Sequence, residues 1–276
     1  MDFNPIHATV ESEGCNLHYY YQGTGPLITF IPGGNGHGRQ FNAIIALMSP
    51  SFTCMTFDRR QMSMSQVEKN KKLSHPQQAR DVAAIIKAIG FSKSIIFGSS
   101  LGGVIAFQFG IDFPGMVDRL VSHEAPTMSL LPNSTEIYDA LYLCQSLYIN
   151  VGLDAAQAEF RKMFDGYDDV DIPPTSGPEP ENVTNFWDNE FWTAGMYTPD
   201  LRKLVKSGTS VAVMAGERSK DAWFSLATIE QASILGCERC VVPGHHQGFE
   251  AETELFLPHF LSLLERMEAE KKTLVK

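Results

Sequence analysis

The sequence predicts an α/β protein with a mostly parallel, doubly wound sheet and an inserted, mainly helical cap. Three observations predict it: short apolar runs alternate with helix-like segments, glycine-rich breaks follow several of these runs, and one long segment interrupts the alternation. Strands that are covered by helices on both faces are continuously apolar, as these runs are. Parallel strands bring their carboxyl ends to one edge of the sheet, where functional sites gather.

The predicted elements follow in chain order. Residues 7–21 predict two β segments that turn at Glu13-Gly14. Six apolar runs predict further strands, at residues 27–31, 52–57, 94–97, 117–123, 211–215 and 240–242. Apolar residues at helical spacing predict helices over 76–89, from Gly98 to about Phe113, and over 249–270.

The long interruption is predicted to be the cap. From Asp165 through Asp200 it contains nine carboxylates and no Lys or Arg. Four prolines within eight residues exclude a regular helix there, namely Pro173, Pro174, Pro178 and Pro180. Residues 135–163 are helix-like, and an aromatic-rich stretch follows the prolines. We therefore expect an α/β core over residues 1–125 and 206–276, with a cap over 126–205.

Composition excludes several classes of protein. The 276 residues include 22 Lys and Arg against 32 Asp and Glu, a net charge of −10, and 43% are hydrophobic. This balance is typical of a globular protein, and its sign disfavours polyanionic partners such as nucleic acid or an anionic membrane. There is no apolar run of the ~18 residues that a membrane span requires, and no secretory signal. We expect a soluble, cytoplasmic protein. The sequence does not predict its oligomeric state, and a homodimer is one of the options.

Metal and cofactor motifs are weak. The five cysteines are odd in number and scattered, which does not predict a disulfide framework. Cys237-Glu238-Arg239-Cys240 is a C-x-x-C, but it flanks a predicted strand and lacks the second ligand pair of a zinc site. The glycine-rich stretch 33–38 lacks both the Walker ending and the G-x-G-x-x-G spacing of nucleotide-binding loops. We expect no metal and no cofactor.

A serine nucleophile is predicted at Ser100. Gly98-Ser99-Ser100-Leu101-Gly102 is a G-x-S-x-G that follows an apolar strand and precedes a helix, the setting of a nucleophile elbow. So tight a turn exposes the serine hydroxyl and needs glycines where side chains would collide. The helix N-terminus directs backbone N–H groups toward developing negative charge.

The base that activates Ser100 and the carboxylate that orients this base are expected at the ends of neighbouring strands. Pro243-Gly244-His245-His246 follows the last predicted strand and can project an imidazole into a cleft. For the carboxylate, Glu124 competes with Glu217 and Asp221, which follow the next strand. Arg218 and Lys220 make that second loop typical of a solvated surface turn, whereas Glu124 lies between an apolar strand and a proline. We therefore favour Glu124.

Two backbone donors complete the predicted site. One is the N–H of Leu101, directly after the serine, and the other is assigned to Gly34 in the glycine-rich loop after the third strand. A glycine there lets a substrate carbonyl approach the backbone. We expect the neighbouring Gly33 to line the same position, and His37 is a candidate substrate contact.

In this chain order the motifs resemble the α/β-hydrolase fold superfamily, over residues 1–125 and 205–265. His123-Glu124-Ala125-Pro126 and Pro243-Gly244-His245-His246 resemble a subgroup that includes fungal lactonases acting on the macrolide zearalenone. The resemblance implies that His246 is the base, that Glu124 is the acid, and that Gly34 and Leu101 form the oxyanion hole. It also implies a cap tryptophan in the pocket, either Trp187 or Trp192.

The sequence departs from this pattern in two places. Many relatives have Asp-Arg-Arg-Gly-x-Gly-x-Ser after the fourth strand, whereas residues 58–65 here lack both glycines, so we expect a different loop path. Gln247 also replaces an aromatic residue of the lactonases. These departures leave the Ser-His-Glu set intact and affect the substrate.

We therefore expect a serine hydrolase that cleaves a carboxylic ester or lactone of an apolar small molecule through an acyl-enzyme. The acidic cap disfavours anionic substrates. Two alternatives remain on the same fold: other chemistry of the same three residues, such as C–C bond hydrolysis, and a non-catalytic small-molecule receptor.

Overall fold

A computed structural model of the chain describes residues 2–164 and 175–274. Its sheet has eight strands, which are β1 (Ile6–Ser12), β2 (Cys15–Gln22), β3 (Leu27–Ile31), β4 (Thr53–Phe57), β5 (Ser94–Ser99), β6 (Val117–His123), β7 (Val211–Gly216) and β8 (Arg239–Val242). The order across the sheet is β1-β2-β4-β3-β5-β6-β7-β8. β2 pairs antiparallel with β1 and β4, and all later pairs are parallel. The predicted fold class is confirmed.

The strand order explains where a site can form. The chain leaves β3 for its neighbour β4 on one side, and then returns to β5 on the other side of β3. The connections that follow β3 and β5 therefore diverge and leave a crevice at the carboxyl ends of these two strands. The glycine-rich loop follows β3 and Ser100 follows β5, so both predicted parts of the site lie at this crevice.

Helices cover both faces of the sheet. The helices outside the insertion are α1 (Asn42–Met48), α2 (His75–Ala88), α3 (Leu101–Asp112), α9 (Trp223–Leu235), α10 (Gly248–Ala251) and α11 (Thr253–Leu274). α2, α3 and α9 pack on one face, in a cluster that includes Val82, Val104 and Ile96. α1 and α11 pack on the other face around Phe30, Phe97 and Phe260. Neighbouring residues of β5 alternate between these two cores, because successive strand side chains point to opposite faces.

The described part of the inserted segment is mainly helical. Its helices are α4 (Ser134–Asn150), α5 (Leu153–Arg161), α6 (Pro180–Asn185), α7 (Phe191–Met196) and α8 (Leu201–Lys206), and a π-helical turn, Phe186–Glu190, joins α6 to α7. α4, α5 and α7 share a small apolar cluster, to which α9 contributes Ala227. α8 instead packs into the main core through Leu201 and Leu204. The division of the chain into core and cap remains a prediction.

The predicted strands agree with the structure to within two residues, and two predicted helices are divided. The helix expected over 135–163 is interrupted at Gly152, whose φ of 133° is not helical. The helix expected over 249–270 is interrupted at Glu252, with φ −134° and ψ 44°. Both breaks are set by local backbone conformation, which apolar spacing does not encode. Two residues of the proline run, Pro173 and Pro174, lie outside the described residues.

No helix in the described part of the chain has both the length and the apolar character needed to cross a membrane.

The glycines around the connection between β5 and α3 leave no room for a Cβ atom. A Cβ atom built on Gly98 would lie 2.1 Å from the carbonyl oxygen of Gly102, and one built on Gly102 would lie 2.1 Å from that of Ile31. A Cβ on Gly103 would lie 2.6 Å from Ser122 Oγ. The helix therefore packs directly against the sheet because these positions are glycines, as the sequence predicts.

We expect Gly98→Ala to lower the free energy of unfolding by about 2 kcal/mol or more, because the contact is with backbone that must shift as a unit. Gly115→Ala is the matched control, since a Cβ there meets no atom within 4 Å. Urea unfolding of both variants measures the difference. Equal stabilities for the two variants would contradict the close packing described here.

Candidate active site

Ser100 occupies a strained turn between β5 and α3. Its φ of 56° and ψ of −127° lie in a region that residues other than glycine rarely adopt, at a cost of about 1–3 kcal/mol. The turn is held by a hydrogen bond from the Ser100 N–H to the His123 carbonyl, 2.8 Å, and by one from the Gly103 N–H to the Ser100 carbonyl, 2.8 Å. This is the geometry of a nucleophile elbow, which presents the half-buried hydroxyl at the crevice.

His246 lies in the loop between β8 and α10 and pairs with Glu124. The distance from His246 Nδ1 to Glu124 Oε2 is 2.6 Å, and both side chains are buried. The imidazole also packs against the ring of Phe224, with 4.3 Å between ring centroids. One nitrogen is thus occupied by the carboxylate, which leaves Nε2 available for proton transfer at the opposite side of the ring.

Glu124 directly follows β6 and is completely buried. Its φ of 47° turns the chain away from the sheet, and its N–H donates to the Met214 carbonyl at 3.0 Å. The second carboxylate oxygen, Oε1, accepts a 2.8 Å hydrogen bond from the Gly216 N–H. Burial acts to raise the pKa of Glu124, but the His246 hydrogen bond, the nearby imidazoles and the Gly216 N–H outweigh it and lower this pKa. The carboxyl is therefore an anion that holds His246.

The two rival carboxylates do not reach His246. Glu217 and Asp221 are both exposed on the loop after β7. Arg218, on the same loop, forms an ion pair with Glu252 near α11. Of the three candidates, Glu124 is the one that contacts the imidazole.

The glycine-rich loop after β3 lies beside Ser100. A Cβ on Gly33 would come within 3.1 Å of the Ser100 Cβ, and one on Gly34 within 3.4 Å of the Phe186 ring. Gly33, Gly34, Leu101, Ser100 and His246 all line one cavity. The structure thus brings together the residues that the sequence predicts for nucleophile, base and oxyanion hole. Among the described residues, the Ser100 hydroxyl and His246 share the cavity without a hydrogen bond between them.

The cavity has a volume of about 280 Å³ and walls that are mostly apolar. The inserted segment contributes most of the aromatic side chains, which are Phe160, Phe164, Phe186, Trp187 and Phe191. Trp223 and Phe224, at the start of α9, also line it and were not found from the sequence. Their position directly after the loop that follows β7, at the predicted site edge of the sheet, is the signal that could have found them.

Of the two candidate tryptophans, Trp187 lines the cavity and Trp192 does not. Trp187 is 3% exposed and stacks on Phe191 with 4.4 Å between centroids. Trp192 is 37% exposed and contacts Tyr142 on the outer side of α4. The structure does not place Trp192 at the cavity: its ring contacts Tyr142 and the edge of Phe191, and Phe191 is the one that lines the cavity.

His37 is a correction to the sequence prediction. It is fully buried, and its Nε2 lies 3.1 Å from the Gly177 carbonyl of the inserted segment. It is absent from the cavity lining, and its contact with Gly177 connects the inserted segment to the core.

The loop after β4 keeps a glycine-like backbone without glycines. Gln61 and Ser63, where many relatives have glycine, have φ values of 65° and 47°. Each left-handed residue costs about 1–2 kcal/mol. The Ser63 N–H donates to Asn182 Oδ1 at 2.6 Å, and the Gln61 amide bonds to both backbone groups of Lys71. Both residues thus adopt the left-handed conformation that glycine favours, and the expected difference in loop path stays a prediction.

Carboxylates of the inserted segment are paired with cations of the core. Glu190 pairs with Arg59 at 2.5 Å, and both are buried. Glu179 pairs with Arg39 at 2.5 Å nearer the surface. Four of the nine carboxylates lie outside the described residues, namely Asp165, Asp168, Asp169 and Asp171. The ion pairs of Glu179 and Glu190 help a segment without Lys or Arg to dock on the core.

No cysteine is among the described residues that line the cavity. All five are free, and Cys237 and Cys240 lie at β8, away from the cavity lining. Burial raises the pKa of Cys237 to about 11, which keeps its thiol protonated. Within residues 2–164 and 175–274, no group of three His, Cys, Asp or Glu side chains is arranged to hold a metal ion.

An α/β sheet with a nucleophile elbow, a facing histidine and a buried carboxylate is typical of the α/β-hydrolase fold. Comparisons with known proteins agree with this fold. A family described as the alpha/beta hydrolase fold matches residues 26–146. The chain is 26% identical over 268 residues to the uncharacterized hydrolase YraK of Bacillus subtilis. The match covers 94% of this chain and 96% of that protein. It is 27% identical over 132 residues to a zearalenone hydrolase of Cladophialophora bantiana, 46% of this chain and 49% of that protein.

A solved structure supports the same fold. The chain resembles bromoperoxidase from Bacillus anthracis with a TM-score of 0.75 at 16% identity, over 95% of this chain and 100% of that chain. At this identity the likeness is evidence for the fold alone. The chain has the α/β-hydrolase fold, and in sequence it is similar to hydrolases of that fold. The zearalenone hydrolase match is consistent with the resemblance of the His-Glu-x-Pro motif.

Three buried histidines predict how stability depends on pH. Burial lowers the pKa of His75, His123 and His245 to about 4 each, against an ordinary value of 6.5. Between these values the unfolded chain binds protons that the folded chain does not. Stability is therefore lost as the pH falls from 6.5 toward 4, by about 1.4 kcal/mol per pH unit for each histidine.

We expect His75→Phe to reduce this slope by about 1.4 kcal/mol per pH unit, because it removes one of the three protons taken up on unfolding. Phenylalanine can keep the stacking on Tyr197, now 4.7 Å between centroids. Urea unfolding at several pH values between 6.5 and 4.5 measures both slopes. If the two proteins have the same slope, His75 does not titrate as described.

Proposed function

We propose that the protein is a serine hydrolase that cleaves a carboxylic ester or lactone of an apolar small molecule. The observation that carries this proposal is the 2.6 Å contact between His246 Nδ1 and the buried Glu124 Oε2, since His246 lines the same cavity as Ser100 on its strained turn. A serine hydroxyl is a weak nucleophile until a base removes its proton. An imidazole oriented by a buried anion is such a base.

In the proposed reaction Ser100 Oγ attacks the substrate carbonyl while His246 Nε2 accepts the hydroxyl proton. Glu124 stabilises the imidazolium that forms. The carbonyl oxygen becomes an anion, which the N–H groups of Gly34 and Leu101 bind. His246 then returns the proton to the leaving alcohol oxygen, and an acyl-Ser100 ester remains.

The second half of the reaction repeats these roles with water. His246 takes a proton from the water, whose oxygen attacks the acyl-Ser100 carbonyl, and the same N–H groups bind the second oxyanion. Collapse of this intermediate returns the proton to Ser100 Oγ and releases the carboxylic acid. With a lactone substrate, acid and alcohol leave as one hydroxy acid, because the ring holds both.

The cavity walls support an apolar substrate. Most of the lining side chains are aromatic or aliphatic, and such a surface binds mainly through the hydrophobic effect. The relative named zearalenone hydrolase supports a lactone among the candidates. We propose that the partner is a small apolar ester or lactone, with no nucleic-acid, membrane or cofactor requirement, and that the protein is cytoplasmic.

We expect Ser100→Ala to abolish hydrolysis of a short 4-nitrophenyl ester, since the attacking oxygen is lost. Glu124→Gln is expected to lower kcat by about 10²- to 10⁴-fold, because the amide cannot stabilise the imidazolium. Glu217→Gln and Asp221→Asn are the matched controls and are expected to retain kcat, as both residues are exposed.

Three results would contradict the proposal or one of its residue assignments. Turnover that persists in Ser100→Ala excludes Ser100 as the nucleophile, and absence of turnover in the wild-type protein favours the receptor alternative. A collapse of kcat in Glu217→Gln or Asp221→Asn, with Glu124→Gln unaffected, would transfer the acid role to that loop.

We expect Trp187→Leu to raise KM for 4-nitrophenyl hexanoate by about tenfold, because a smaller side chain loses apolar contact with the acyl chain. The change for 4-nitrophenyl acetate is expected to be smaller. Trp192→Leu is the control on the same helical segment, and it should leave both values within about twofold because it lies outside the cavity lining. Equal changes in the two variants would refute the assignment of Trp187.

A further inference from the structure

We propose that Arg59 is a positioning residue that orients and polarises the Gly33–Gly34 peptide, whose N–H is the proposed oxyanion donor. The inference rests on the proposed function, since it concerns the same site, but it makes a separate claim about a residue outside the catalytic set. Arg59 follows β4, is 1% exposed, and is not among the residues that line the cavity.

The Arg59 side chain bonds directly to the loop that carries the donor. Its Nε–H donates to the Gly33 carbonyl oxygen at 3.1 Å. The backbone N–H of Arg59 donates to the Gly36 carbonyl at 2.8 Å, and the Gly36 N–H donates to the Gly33 carbonyl at 3.1 Å. Side chain and backbone of this one residue thus hold both ends of the turn formed by residues 33–36.

The chemistry follows from the geometry of one peptide unit. The carbonyl of Gly33 and the N–H of Gly34 belong to the same planar, trans peptide, so they point in opposite directions. A cation bound to the carbonyl fixes this plane, and it draws electron density from the N–H at the other side. Hydrogen bonds in such a chain strengthen one another. A donor that is fixed and polarised before the reaction is what an oxyanion hole requires.

The inserted segment holds Arg59 in place. Glu190 Oε1 lies 2.5 Å from Nη1 and Oε2 lies 2.8 Å from Nη2, which is a bidentate pair. Gln78 completes the cluster, accepting from Arg59 Nη1 at 2.6 Å and donating to Glu190 at 3.0 Å. Phe186, at the other end of the same π-helical turn, lies over Gly34. The turn Phe186–Glu190 therefore contacts the oxyanion loop directly through Phe186 and indirectly through Arg59.

A lysine cannot reproduce this arrangement. The planar guanidinium donates to a carbonyl from Nε and to a carboxylate from both Nη atoms at the same time, whereas an ammonium is a single point of charge on a flexible chain. Arg59→Lys therefore keeps the buried positive charge and loses the defined contact with Gly33.

The neighbouring Arg60 provides a matched control. It is also buried and forms a bidentate pair, with Asp81 at 2.9 and 2.6 Å. Its carbonyl partners are Ser12 and Glu13, at the turn between β1 and β2. Arg60→Lys thus disturbs a buried ion pair of the same type without contact to the oxyanion loop.

The first measurement is kinetic. We expect Arg59→Lys to lower kcat for 4-nitrophenyl acetate by about 10- to 100-fold with KM nearly unchanged, because removal of an oxyanion donor costs about 10²- to 10³-fold and this donor is weakened but not removed. Phenylboronic acid, whose adduct with Ser100 is a tetrahedral anion, is expected to bind more weakly by a similar factor. Arg60→Lys is expected to retain both values.

The second measurement does not depend on hydrolysis. In protein labelled with ¹⁵N-glycine, the Gly34 amide proton resonance is expected to move upfield in Arg59→Lys and to stay in place in Arg60→Lys. Where Arg59→Lys does not fold, Glu190→Gln replaces it, since loss of the carboxylate charge loosens the same guanidinium.

The outcomes separate this proposal from the proposed function. An unchanged Gly34 resonance, or equal kinetic losses in the Arg59 and Arg60 variants of an enzyme that depends on Ser100, overturns the role of Arg59 alone. A wild-type protein without Ser100-dependent turnover overturns the proposed function, and with it the catalytic meaning of the Arg59 contact, even if the resonance moves.

Discussion

The site depends on the stabilisation of one fully buried carboxylate. An isolated anion in the interior would take up a proton, because burial favours the neutral form. Glu124 keeps its charge because His246 donates to one oxygen and the Gly216 N–H donates to the other. These partners come from the loop before α10 and from the end of β7, so the anion exists only when three neighbouring strand ends are correctly aligned. Fold and chemistry are coupled at this residue.

A second buried ion pair connects the insertion with the core. Arg59 and Glu190 are 131 positions apart in the sequence, and their contact fixes the π-helical turn that carries Phe186 and Trp187 beside the glycine-rich loop. A buried pair of this kind contributes little net stability, since desolvation opposes the attraction, but it defines one geometry. The shape of the cavity and the orientation of the proposed oxyanion donor thus depend on the same contact.

Much of the core could be predicted from the sequence because its signals are local. Buried parallel strands are continuous apolar runs, and the elbow at Ser100 needs glycines within a few residues of it. Trp187 and Trp192 could not be separated in this way, since the π-helical turn changes which side of the following helix faces the core. The Arg59–Glu190 pair is not marked by any local sequence pattern. The absence of Lys and Arg from residues 165–200 indicates only that cations paired with these carboxylates come from other parts of the chain.

The central claim is that Ser100 is the nucleophile activated by His246, and covalent labelling tests it most directly. After reaction with a fluorophosphonate, mass spectrometry of the intact protein and of its peptides is expected to show one adduct, located on Ser100. Labelling should be absent in Ser100→Ala and strongly slowed in His246→Ala, because the hydroxyl then has no base. An adduct on another residue, or equal labelling rates with and without His246, would contradict the account.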